Sequence, residues 1–155
     1  MIEKSIEANI IAAIEALNLT GLAVRGAWQS AAAGEVKSEE SDTAPAALAV
    51  AVSPRSFERF GMSVASMEVA LSLAIRADLC PTGTAIQLYA DPIMALLTHW
   101  QMSLCCADDC GLAVDGFEPG GVQMSGGGVP EFNREAGIWS VSWTLSIRGA
   151  VQVSS

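Results

Sequence analysis

The chain has 155 residues, 51% hydrophobic and 16% charged, with 17 acidic against 8 basic side chains and a net charge of −9. Such a composition allows one compact core and excludes a disordered or linker-type chain. The bases are dispersed, no two adjacent, so the phosphate neutralisation that drives nucleic-acid binding is missing and a sequence-specific nucleic-acid role is excluded. No apolar run reaches the length of a membrane span. Glu3 and Glu7 stand where a signal peptide needs a basic and then a continuous apolar stretch, so the expected location is cytoplasmic.

The first element is a helix. Ile2, Ile6, Ile10, Ala13, Ile14 and Leu17 recur at helical spacing, with Lys4, Glu7 and Glu15 away from that stripe and Asn18 and Gly21 to end it. Ile11 lies off the middle of the stripe and is expected to be exposed or to touch another subunit. Residues 22 to 30 alternate loosely and predict a strand. Residues 31 to 45 carry Glu35, Glu39, Glu40 and Asp42 without apolar periodicity and predict a mobile acidic loop. Alternation returns at Leu48, Val50 and Val52 and is broken at Ser53-Pro54, with a short helical turn expected over residues 57 to 60.

Two segments alternate with period two for longer. One runs through Met67, Val69, Leu71, Leu73 and Ile75, the other through Trp139, Val141, Trp143, Leu145 and Ile147, with Ser72 and Ser142 among the outward residues. Each reads as a strand with one face on the core and one towards water, as antiparallel sheets have. At about 3.3 Å per residue the first would span roughly 45–50 Å, more than the diameter of about 40 Å of a compact domain this long. The two strands therefore either bend, with Gly149 a candidate bulge, or project as an arm. Between them, Asp91-Pro92 reads as a helix start, a shorter helical turn from Thr84 to Tyr89 preceding it. Short strands are expected at residues 112 to 117 and 120 to 124, then a loop through residues 126 to 135. The fold class is α+β: one domain over 1–155, an antiparallel sheet with long alternating strands and helices packed on one face.

No catalytic constellation emerges. His99 is the only histidine and no nucleophile motif accompanies it; the Gly-rich stretches lack the context of a phosphate loop. Cys105, Cys106 and Cys110 cluster as C-C-A-D-D-C, apart from Cys80, without the paired C-x-x-C spacing of metal sites. Reduced thiols are expected, with no metal, no cofactor and no enzymatic activity. Trp139 and Trp143 share an inward face and read as core.

The order of these pieces resembles the tail terminator, or tail completion, proteins of long-tailed bacteriophages and prophages. The resemblance rests on the opening helix Ile2 to Leu17, the strand Ala46 to Val52 followed by Ser53-Pro54, the strand Ser63 to Ala77, the Asp91-Pro92 helix and the terminal strand Trp139 to Val153. It implies a structural homo-oligomer, a hexameric ring that caps the tail tube and meets head-completion proteins, made in the host cytoplasm and carried into the virion. Ile11, Glu35, Glu39, Glu40, Asp42, Ser72 and Ser142 are its candidate subunit contacts. The alternatives are another phage neck or minor tail protein, or a bacterial small-molecule-binding or enzymatic domain with a pocket near His99, Trp100 and the cysteines.

Overall fold

The computed structural model describes residues 2–28, 46–57, 64–76, 84–102, 114, 116–125 and 129–151. Glu35, Glu39, Glu40, Asp42 and all four cysteines lie outside them, as does the acidic loop. The described elements are α1 (Ile2–Glu15), β1 (Leu22–Gly26), β2 (Ala46–Val52), β3 (Ser56–Phe57), β4 (Val64–Arg76), α2 (Thr84–Met102), β5 (Phe117–Ser125), β6 (Glu131–Asn133) and β7 (Ile138–Val151). This is an α+β fold: the described residues form two full helices and a seven-stranded sheet of order β1-β2-β4-β7-β5, with β3 added to β4 and β6 to β7.

The long strands are the spine. β4 and β7 pair antiparallel from Val64↔Ala150 to Arg76↔Ile138 without a break. Their odd residues are buried: Met67, Val69, Leu71 and Leu73 from β4 face the same core as Val141, Trp143, Leu145 and Ile147 from β7. The helices supply the other half of that core through Ile6, Ile10 and Ile14 of α1 and Ile86, Ile93, Leu97 and Trp100 of α2. Both helices thus lie on one face, because the alternation offers only one apolar face to bury.

Several local expectations are corrected. The sheet is mostly but not wholly antiparallel, since β1 pairs parallel to β2. A parallel neighbour requires the chain to return to its starting end, and the 27–45 interval between these strands is long enough for that. β1 ends at Gly26, and Ala27 and Trp28 are already helical. Phe57 belongs to β3 rather than to a helical turn. Residues 117–125 form one strand, and Glu131–Asn133 pairs with β7 where a loop was expected.

Asp91-Pro92 does not start a helix; α2 runs through it from Thr84 to Met102. Proline removes the N–H that would bond the carbonyl of Leu88. Leu88 is 71% exposed, so that carbonyl lies on the side where water can replace the lost donor. On the opposite side Ile86, Ala90 and Ile93 are buried together, and this packing outweighs the local stop signal.

Neither end of the β4–β7 pair projects as a bare arm. Beyond β4 lie β3 and β2 in line, and beyond β7 lie β5 and β6 in line. The bulge falls on β5, between Pro119 and Gly121, not at Gly149. Gly149 faces it: a Cβ there would overlap the Glu118 carbonyl and lie 2.8 Å from Phe117 Cζ and Pro119 Cα. The bulged strand bends onto β7 only because this position has no side chain.

Candidate functional site: the open sheet face

Covering one face of a five-strand-wide sheet leaves the other in water. Ser72 and Ser142 lie there, directly opposite each other in the β4–β7 ladder, and both are exposed. The ladder continues sideways from Ser72 to Ala49 of β2 and then to Arg25 of β1. The next row runs Ala51, Ala70, Thr144 and Ser125 across four strands. The middle of the face is thus a carpet of alanine, serine and threonine. Arg25, Glu68, Arg76, Glu131 and Arg148 stand around it, and no charged residue lies inside.

Two physical consequences follow. Alanine loses no rotamer entropy on burial and serine little, so covering this face is opposed less than covering lysine or glutamate. Short side chains also let a facing surface come close to the sheet backbone. A water-facing sheet in a chain of net charge −9 has many acids to distribute, yet only Glu68 and Glu131 border this patch among the face residues of β2, β4, β6 and β7.

Ile11, expected to be exposed, is 4% exposed and part of the core. The reason is Gly26: α1 lies against β1 at a residue without a side chain, and Ile11 Cδ1 sits 2.7 Å from where a Cβ would be. It does not belong to a surface of this protomer. Glu7, read as lying off the buried stripe, is fully buried, and Glu3 is 5% exposed. Both are one helical turn apart on the side of α1 that meets the chain after β1 and after β2. The Trp28 backbone N–H donates to both Glu7 carboxylate oxygens, at 2.9 and 3.1 Å, while its indole N–H donates to the Val52 carbonyl at 2.9 Å. The Arg55 backbone N–H donates to Glu3 Oε2 at 2.8 Å, and its Nε lies 3.3 Å from the same oxygen. These carboxylates serve as anchors for two chain corners, a role that follows from partners far away in sequence. Glu3 Oε1 and the Trp143 indole N–H are buried and meet no hydrogen-bond partner among the described residues.

The corner after β2 is fixed a second time. Ser53 N–H donates to the Glu68 carbonyl at 2.8 Å, and Glu68 N–H returns a bond to Ser53 Oγ at 2.9 Å. Ser53-Pro54 therefore breaks the strand while keeping the chain pinned to β4.

The remaining chemistry does not gather. His99 is exposed on the last turn of α2, whereas its neighbour Trp100 points into the core at 3% exposure. Three described concavities are lined by residues 15–24, 131–140 and 64 with 120–150, and none includes His99 or Trp100. Among the described residues no group of three or more His, Cys, Asp or Glu side chains could hold a metal ion. Trp28 and Trp139 pack partly buried against the core, Trp139 tilted at 41° against Phe132 with centroids 5.1 Å apart. No described helix is long and apolar enough to cross a membrane. The chain matches no protein-family model and none of the curated proteins.

Proposed function

We propose that the chain is a self-assembling structural subunit, a tail terminator that closes into a ring, hexameric in this reading, on the tail tube of a long-tailed phage or prophage. The ring stops tube growth and offers the surface that head-completion proteins meet, first in the host cytoplasm and then in the virion. The observation that carries this reading is the open sheet face: small, uncharged at its centre and backed by a rigid continuous ladder. A two-layer domain has unlike front and back surfaces, helices on one and bare sheet on the other. Contact between unlike surfaces generates rings when the rotation closes. The absence of clustered bases suits a ring through which DNA passes without being held. Of the elements on which the resemblance rests, the opening helix, the β2 strand and the two long strands are present, while the helix start at Asp91-Pro92 is not.

A neck or minor tail protein with the same self-assembling face is the nearest second reading. A small-molecule pocket around His99 and Trp100 is less favoured, because the two side chains diverge between solvent and core. Electron microscopy of the purified protein, alone and mixed with tail tubes, separates these. Rings that cap tube ends support the terminator; rings away from the ends point to another tail component. Isolated subunits under both conditions sink the self-assembly reading.

A further inference from the structure

The two outer edges of the sheet are treated differently. On β5 three features block the addition of a strand. Pro119 has no N–H, the ladder is interrupted between Pro119 and Gly121, and the Met124 N–H is taken by Gln101 Oε1 of α2 at 2.8 Å. Such devices are how proteins protect a sheet edge. β1 lacks the first two. Its five residues contain no proline, its register with β2 is uninterrupted, and among the described residues no strand lies beyond it.

The direction of its peptide groups follows from one bond. Ala46 N–H donates to the Gly21 carbonyl at 3.1 Å. Within the β1–β2 register this turns Ala23 and Arg25 towards β2, and Leu22, Val24 and Gly26 outward. The Leu22 N–H is used locally by the Leu19 carbonyl at 3.3 Å. Val24 is then the middle outward residue, with a donor and an acceptor that meet no partner among the described residues.

Beside this edge lies a groove of about 360 Å³ lined by Glu15, Asn18, Leu19, Thr20, Leu22 and Val24. It is built by the end of α1, where the last turn tightens and Asn18 adopts φ 55°. Its wall is held by α2, whose Tyr89 hydroxyl donates to the Thr20 carbonyl at 2.8 Å. An edge donor and acceptor next to a mostly polar groove, with Leu19, Leu22 and Val24 as its apolar part, is an arrangement by which sheets capture extended peptides.

We propose that β1 accepts an extended segment of a partner protein as an added strand, with apolar side chains in the groove and a basic side chain against Glu15. Period-two alternation sends every second residue of such a strand to the groove side, where Leu19, Leu22 and Val24 meet it. The residues between them lie on the open face beside Arg25, which favours acidic or small side chains there. The exposed Glu15 and the net charge of −9 select a segment basic on its groove side, and disfavour an acidic one. The added strand would extend the sheet at its β1 edge, two strands away from Ser72 at the centre of the open face, so its binding is read separately from ring formation.

The test uses the whole chain and a fluorescein-labelled peptide, capped at both ends, in which leucine, valine and lysine alternate with threonine and glutamate. Binding is followed by anisotropy and by the amide resonance of Val24. The expected result is saturable binding that shifts Val24, weakened about tenfold or more by N-methylating the central peptide amides. Val24→Pro, which deletes the outward donor but leaves the β2 ladder, should weaken it similarly. Glu15→Lys should weaken the lysine peptide and not a version with lysine replaced by threonine. No binding to the wild type at roughly millimolar peptide, or equal binding of the N-methylated peptide, overturns the proposal without touching the ring reading.

Discussion

Replacing Gly26 by alanine measures how tightly α1 sits on the end of β1. The new methyl group would overlap the Glu7 carboxylate and come within 2.7 Å of Ile11 Cδ1. Both side chains are buried, so neither has open water to move into. Forcing one extra carbon into a filled site costs about 1–3 kcal/mol. Displacing Glu7 also breaks its bonds from the Trp28 N–H, and bonds to charged groups contribute about 1.5–3 kcal/mol. Together these predict a loss of about 3–5 kcal/mol, a large share of a typical stability of about 5–15 kcal/mol. At about 2–4 °C per kcal/mol the melting temperature falls by roughly 6–20 °C. Urea unfolding followed by tryptophan fluorescence gives the free energy directly. Ile11→Ala makes room beside the new methyl, so the double variant should be less damaged than the sum of the two single ones, by about 1 kcal/mol or more. A Gly26→Ala protein within about 0.5 kcal/mol of wild type would refute the packing described between Glu7, Ile11 and Gly26.

Three further substitutions probe other parts of the fold. Trp143→Ala empties a site that is 1% exposed and should cost about 3–5 kcal/mol in urea unfolding, whereas Trp143→Phe, which removes a buried N–H that meets no partner among the described residues, should cost less than half as much. Gly149→Ala pushes β5 off β7 at its bulge; amide exchange should accelerate along residues 117–125, and unchanged protection there would count against the close approach. Pro92→Ala restores a donor for the Leu88 carbonyl on the water-facing side of α2 and should raise stability by about 1–3 kcal/mol, read as a higher thermal midpoint.

Much of the sheet is legible in the sequence because burial on one face imposes strict alternation. β2 begins and ends where Ala46 and Val52 predict, and β4 and β7 follow the Met67 and Trp139 patterns within a residue or two. What escapes local reading is decided by distant partners. Glu7 sits among isoleucines on α1 and looks solvated until Trp28, twenty-one positions later, turns its N–H onto the carboxylate. Arg55 does the same for Glu3 across fifty-two positions. Pro92 carries a helix-start signature that the packing of Ile86 and Ala90 overrides. Ile11 reads as exposed because nothing on its own helix shows that the residue facing it is glycine. Of the candidate contacts, Ser72 and Ser142 fall together at the centre of the open face because alternation alone determines which way they point.

The open face as an assembly surface is tested most directly by sedimentation velocity on wild type, Ser72→Lys and Ser142→Lys, each with and without tail tubes. Both serines are exposed and bury nothing within the protomer, so each variant should stay within about 0.5 kcal/mol of wild-type stability. A lysine at the middle of the uncharged patch places an ammonium group where a facing surface must exclude water, and two close neighbours would meet a desolvated charge. The account predicts ring-sized particles for the wild type, with tubes if not alone, and a shift to single folded subunits for both variants. Folded variants that assemble and cap tubes as completely as the wild type would contradict it.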